Sequence, residues 1–159
     1  PEAAMEDGGR WQPGRCHSPL EFTTAVLASE GVDWRRVSLV PGWYQDTLTA
    51  ETRQTLGLGK ASVIMIDCDL YSSSKEALDF CAPLIEDDAL ILFDEFHPRG
   101  LKGKYVGERR AFDEFLSENP CFRAEPFGKY APRTETFLVS RVRKEAEPPL
   151  RPRSGVGAA

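Results

Sequence analysis

Four carboxylates stand where two apolar runs stop. The run at 61–67 ends in Asp67 and continues through Cys68 to Asp69, and the run at 89–93 continues into Asp94 and Glu95. If both runs are strands, the carboxylates gather at their C-terminal ends, the edge where open α/β sheets bind ligands. Neighbouring parallel strands lie about 4.8 Å apart, so side chains at their ends can share one ion. Asp67 and Asp94 occupy equivalent places, each directly after its run, and Glu95 offers a third oxygen donor. A hard divalent cation such as Mg²⁺ takes oxygen ligands, and it would also relieve the mutual repulsion of the clustered acids. We therefore expect Asp67, Asp94 and Glu95 to hold a cation beside a substrate hydroxyl. Asp69, two residues past Asp67, is either a fourth ligand or a general base.

The surrounding pattern supplies elements that would position these residues. Ser18-Pro19-Leu20-Glu21 has the form of a capping box with Pro at the first helical position, and it predicts a helix ending at Gly31. Residues 37–40 are short and apolar, ending at Pro41-Gly42, and predict a strand. Residues 43–46 predict a loop and 49–56 a short helix. The 61–67 run lacks polar alternation after Ser62, as expected for a strand buried on both faces of a parallel sheet. Helices are predicted at 73–82 and 107–118, the latter with Ala111, Phe112, Phe115 and Leu116 at helical spacing. Between them lie the second strand at 89–93 and a loop at 96–106. Residues 121–127 and 136–142 predict two strands whose connection is too short for a crossover, hence an antiparallel pair. Alternating helices and strands predict an α/β fold, with helices on both faces of a mostly parallel sheet that ends in an antiparallel hairpin. Residues 1–17 look like a loop lead-in to a single domain over 1–143, and 144–159, rich in Pro, Gly and charge, like a disordered tail.

Composition narrows the function classes. The chain has 159 residues, 41% hydrophobic, with net charge −5, enough for one packed domain. Its scattered Lys and Arg argue against a nucleic-acid partner. No apolar run approaches the roughly 18 residues of a membrane span. Cys16, Cys68, Cys81 and Cys121 form no C-x-x-C pair, so we expect no zinc site and reduced thiols in a cytoplasmic protein. Asp87 and Asp88 precede a strand and predict a solvated turn on the opposite edge. Ser72, Ser73 and Ser74 have no evident His partner, which argues against covalent catalysis.

Three ordered segments, VPGWYQDTL at 40–48, IDCDLYSSS at 66–74 and ILFDEF at 91–96, followed by GERRAFDEF at 107–115, resemble the macrocin-type (TylF/MycF) O-methyltransferases. The similarity spans roughly 18–142. It implies a Rossmann-like class I methyltransferase using S-adenosyl-L-methionine and Mg²⁺, acting on a hydroxyl of a sugar or other small secondary metabolite. By motif position it implies Asp67, Asp94 and Glu95 as metal ligands and Asp69 as the base; the family often has Asp where this chain has Glu95. Trp43, Tyr44 and Gln45 would line the adenine pocket, with Asp67 also at the cofactor. Arg109 falls near the implied substrate position, and His97, which follows the Asp94-Glu95 pair, is the second substrate candidate.

The resemblance also implies a seven-stranded sheet of order 3-2-1-4-5-7-6. Counting back from Asp94, the strands at 89–93, 61–67 and 37–40 correspond to the fifth, fourth and third. Nothing in 1–17 supplies the first two, so the expectation is the C-terminal part of a longer protein. Strand 37–40 would then lack a partner, and strand 61–67 would expose an edge. A metal-dependent glycosyltransferase, whose D-x-D also binds a cation, and a non-enzymatic interaction module are the competing readings. With the cofactor-gripping strands absent, the isolated chain should bind S-adenosylmethionine more weakly than micromolar. Calorimetric titration checks this, and micromolar or tighter affinity refutes it.

Overall fold

The computed structural model describes residues 17–97 and 106–142; the expected lead-in at 1–16, the centre of the 96–106 loop and the expected tail lie outside the described residues. Helix α1 (Leu20–Ser29), α2 (Tyr44–Thr47) and α3 (Ala50–Thr55) precede strand β1 (Val63–Ile66). Then come α4 (Tyr71–Cys81), a 3₁₀ turn (Ala82–Leu84), β2 (Asp88–Phe93), α5 (Gly107–Glu118), β3 (Phe122–Gly128) and β4 (Glu135–Arg141). Thr49 caps α3 by accepting the Thr52 N–H at 3.1 Å, as a threonine at that position should. The capping box at Ser18 does not form. Pro19 is the N-cap without a side-chain bond, and the Ser18 hydroxyl instead meets that of Thr23 at 2.9 Å.

The sheet order is β1-β2-β4-β3. Strands β1 and β2 are parallel, with Ile66 opposite Phe93. β4 runs antiparallel to both β2 and β3. The expected hairpin is therefore present, but among the described residues the sheet has one parallel pair and two antiparallel ones, not a parallel majority. Residues 37–40 join no ladder, and β1 is an edge strand among the described residues. An extended apolar segment without a neighbour has no partner for its backbone groups, and so is not a strand.

The core lies on one face of the sheet. Ile64 and Ile66 of β1, with Ala89, Ile91 and Phe93 of β2, pack with Leu78 of α4 and with Ala111, Phe112 and Phe115 of α5. Phe93, Phe96, Phe112 and Phe137 form an aromatic cluster with centroid separations from 4.7 to 6.3 Å, within the range of favourable edge and offset contacts. At the surface, Tyr71 and Lys75 of α4 reach Glu114 and Glu118 of α5. Arg141 ties the 3₁₀ turn to β4 by donating to the carbonyls of Ile85 and Ala82.

The opposite face is open along β1, where Val63 is 65% and Met65 56% exposed. The expectation of burial on both faces fails here because no described helix covers that side; α1, α2 and α3 contribute no buried residue. This asymmetry can be measured. Ile91→Ala should cost about 2–5 kcal/mol, and Met65→Thr no more than about 0.5 kcal/mol, from denaturant midpoints. Equal losses would mean that the second face is covered.

Candidate active site

The register between β1 and β2 extends into the carboxylate segments. The Asp94 N–H donates to the Ile66 carbonyl at 3.2 Å, lengthening the ladder by one step and setting Asp67 opposite Asp94. Beyond Asp67 the chain turns at Asp69, whose φ is 59°. Aspartate tolerates this left-handed conformation better than most residues. The first residue of α5 crosses close by. A Cβ on Gly107, itself at φ 59°, would lie 2.9 Å from the Asp69 carbonyl oxygen, so both conformation and space require glycine there.

That close approach inserts a carboxyl absent from the sequence-based site. Glu108 is 1% exposed, and its Oε2 accepts the Glu95 N–H at 3.0 Å. Oε1 has no hydrogen-bond partner among the described residues. Burial is the main reason its carboxyl is pushed up to about 8. The negative charges of Asp69 and Asp67 add to the rise, while the backbone N–H groups of Glu95 and Asp69 oppose it. Glu108 thus stands between the segments that succeed β1 and β2. An acid in the first turn of a helix ordinarily reads as a complement to the helix dipole, and nothing in GERRAF signals that this one is buried. The only clue is the glycine beside it.

The expected cation ligands are not assembled as a trio. Asp67 and Asp94 are neighbours by register, but Glu95 is buried and ion-paired with Arg133. Asp94 Oδ1 accepts the Tyr130 hydroxyl at 3.1 Å. Among the described residues no group of three His, Cys, Asp or Glu side chains is placed to hold a metal ion. Arg133 takes only Oε1 of Glu95; Oε2 is buried without a hydrogen-bond partner among the described residues, an oxygen a hard cation could use. Tyr130 is pushed up to about 12 by burial and by Asp94, with Asp67 contributing; it is a neutral donor throughout the working pH range.

Of the expected cofactor residues, Tyr44 and Gln45 share a shallow concavity of about 280 Å³ with Leu48, Arg53, Asp79 and Phe80. Burial and the nearby Cys68 and Asp67 raise the Tyr44 phenol, so the aromatic reaches toward the carboxylate edge. Trp43 stands apart, 79% exposed. Cys68 is a partly buried thiol, pushed up to about 11 chiefly by desolvation, in keeping with a small hydrophobe. His97 faces the β3–β4 loop, with Nε2 2.9 Å from Glu135 Oε2. Arg109 is exposed and lies 4.0 Å from Asp113 in a surface pair. Asp87 meets Lys60 at 2.9 Å on the opposite edge, as a solvated turn should.

The raised carboxyl of Glu108 has a sign that can be checked. Its folded-state value lies above the ordinary 4.5, so between about 4.5 and 8 the folded chain holds more proton than the unfolded one. Stability from this group is full below that window and is lost as pH rises through it. Glu108→Gln keeps an acceptor for the Glu95 N–H but does not titrate. The melting temperature of the wild type should therefore drop more between pH 5 and pH 8.5 than that of the variant. An equal drop would place Glu108 in water.

Similar proteins are known for the stretch that carries these residues. Residues 19–119 match the macrocin-O-methyltransferase (TylF) family, a stretch that includes Asp67, Asp69, Asp94 and Glu108. The 8-demethyl-8-(2,3-dimethoxy-α-L-rhamnosyl)-tetracenomycin-C 4′-O-methyltransferase of Streptomyces olivaceus is 31% identical over 78 residues, 49% of this chain and 28% of that enzyme. The chain thus aligns with under a third of that relative's length. With the match covering more than half of its residues, the chain belongs to the macrocin O-methyltransferase family.

Proposed function

We propose that this chain carries the acceptor side of an S-adenosylmethionine-dependent O-methyltransferase acting on a hydroxyl of a sugar or other small secondary metabolite. The observation that carries the reading is the register that sets Asp67 beside Asp94 at the ends of β1 and β2, with Asp69 two residues on and Glu108 close to both segments. The rhamnosyl 4′-O-methyltransferase named among its relatives supports a sugar hydroxyl as acceptor. The strand order β1-β2-β4-β3 also agrees with the last four positions of the order that the resemblance implies.

The methyl donor supplies an electrophilic methyl group on a sulfonium. The residues of this chain would orient the acceptor oxygen and remove its proton. Asp69 takes the proton as the oxygen–carbon bond forms and the carbon–sulfur bond breaks, leaving a neutral thioether. Asp67 and Asp94 accept hydrogen bonds from further hydroxyls of the acceptor, which is orientation rather than covalent chemistry. Tyr44 and Gln45 would meet the adenine. No step is assigned to a divalent cation, because the expected trio is not assembled.

Asn also tolerates a positive φ, so Asp69→Asn removes the base without disturbing the turn. In the natural polypeptide that carries this sequence, S-adenosylhomocysteine should raise the melting temperature, whereas a nucleotide sugar should not. Asp69→Asn should lower kcat about 10²–10⁴-fold, with KM for the methyl donor unchanged. Normal turnover by the variant would remove the base assignment. Stabilisation by the nucleotide sugar alone would replace the methyltransferase with a glycosyltransferase.

A further inference from the structure

The loop between β3 and β4 puts an aromatic ring at the carboxylate edge. Strand β4 runs antiparallel to β2, with Glu135 opposite Phe93, so the loop that precedes β4 lies beside the end of β2. Tyr130 is fixed in that loop at two points. Its backbone N–H donates to Thr134 Oγ1 at 3.1 Å, and Thr134 is itself 1% exposed. Its hydroxyl donates to Asp94 Oδ1 at 3.1 Å, and the charges of Asp67 and Glu108 also act on it. The hydroxyl is thus turned toward the acids at both strand ends. The residue as a whole is nevertheless 48% exposed. A surface tyrosine ordinarily lays its ring on the protein and keeps its hydroxyl in water. Tyr130 has its hydroxyl engaged and ring surface left in solvent.

Ring surface held next to hydrogen-bond acceptors has the form of a carbohydrate subsite. A pyranose carries hydroxyls around its rim and C–H bonds on its faces, and those hydrogens are slightly positive. Carboxylates accept from the hydroxyls, while the electron-rich face of an aromatic ring meets the C–H bonds. We propose that Tyr130 is an acceptor-binding residue: its ring is the platform on which the sugar lies, and its bond to Asp94 holds ring and carboxylate as one unit. Tyrosine suits this task because only two side-chain torsions need fixing. Here the hydroxyl bond fixes them before the acceptor arrives, so less freedom is lost on binding. The bond takes one oxygen of Asp94 and leaves the second to other partners. Tyr130 lies beyond residues 19–119, so the family match assigns it no role. The inference rests on the methyl-transfer reading for the identity of the acceptor, and on the loop geometry alone for the position of the ring.

Methyl α-L-rhamnopyranoside is the probe, titrated into the natural polypeptide that carries this sequence while tyrosine ring protons are followed by NMR. The Tyr130 resonances, identified as those absent from Tyr130→Phe, should shift, and the C–H protons of the sugar should move upfield as stacking requires. Unshifted Tyr130 resonances would overturn the platform. Tyr130→Ala should weaken probe binding, and raise KM for a rhamnosyl acceptor, about tenfold, with affinity for S-adenosylhomocysteine unchanged. Tyr130→Phe keeps the ring but loses the bond to Asp94, and should stay within about threefold of wild type. Equal losses in the two variants would assign the effect to the hydroxyl and remove the platform. A parallel loss of S-adenosylhomocysteine binding in Tyr130→Ala would make the residue structural and overturn the proposal. Probe binding that shifts Tyr130 without any methyl transfer would support the platform and overturn the methyltransferase reading. Methyl transfer to a sugar with Tyr130 unmoved would do the opposite.

Discussion

The buried carboxyl of Glu108 joins the two acidic segments that follow β1 and β2. It accepts the N–H of Glu95 and lies against the backbone of Asp69, so the turns after β1 and β2 share one acceptor. Burying an acid in this way carries a desolvation cost, seen as the upward displacement of its titration. What the fold gains is a common reference point for residues that are distant in sequence. Gly107 makes the arrangement possible, because any side chain there would strike the Asp69 carbonyl. The left-handed backbone at Asp69 belongs to the same device: it reverses the chain just past the strand, and Asp69 lands at the carboxylate edge. Local strain of this kind persists only where the surroundings over-determine it, and here a helix start and two strand ends do so.

Packing on one face explains why α5 can deliver that carboxyl. Phe112 and Phe115 lie under the sheet with Ala111, and the buried positions 108, 111, 112 and 115 recur at helical spacing. The stripe that seats the helix in the core therefore also turns Glu108 inward. The far side of the sheet contributes differently. Strand β4 returns beside β2 and carries its loop to the same edge, where Tyr130 and Arg133 take up the Asp94–Glu95 pair. Two elements with no acidic motif of their own thus decide how the acidic motif is presented.

Belonging to the macrocin O-methyltransferase family gives these placements a chemical context, and the division along the chain is informative. The aspartates and Glu108 lie within the matched residues 19–119, and the β3–β4 loop lies outside them. The positions proposed to handle a hydroxyl proton thus lie within the matched stretch. The open face along β1 has no such context among the described residues; Val63 and Met65 remain exposed apolar groups on an edge strand.

Much of this was legible in the sequence. The apolar runs ending in Asp67 and in Asp94-Glu95, the helical spacing of 107–118 and the closing hairpin come from local periodicity, which side-chain alternation and helix pitch impose regardless of context. What could not be read were properties that depend on distant partners. Residues 37–40 have the composition of a strand but no ladder, because a strand exists only through its neighbour. The alternation of β1 between buried Ile64 and exposed Met65 was hidden, since both residues are apolar and only the location of α4 and α5 distinguishes them. Nothing around Glu95 in the sequence announces that Arg133, 38 positions later, pairs with one of its oxygens. The sequence alone determined which acidic residues follow the two apolar runs and where those strands end; tertiary structure decided which carboxyl is buried, which is paired and which is left at the edge, because desolvation and charge pairing are set by groups that meet only when the chain is folded.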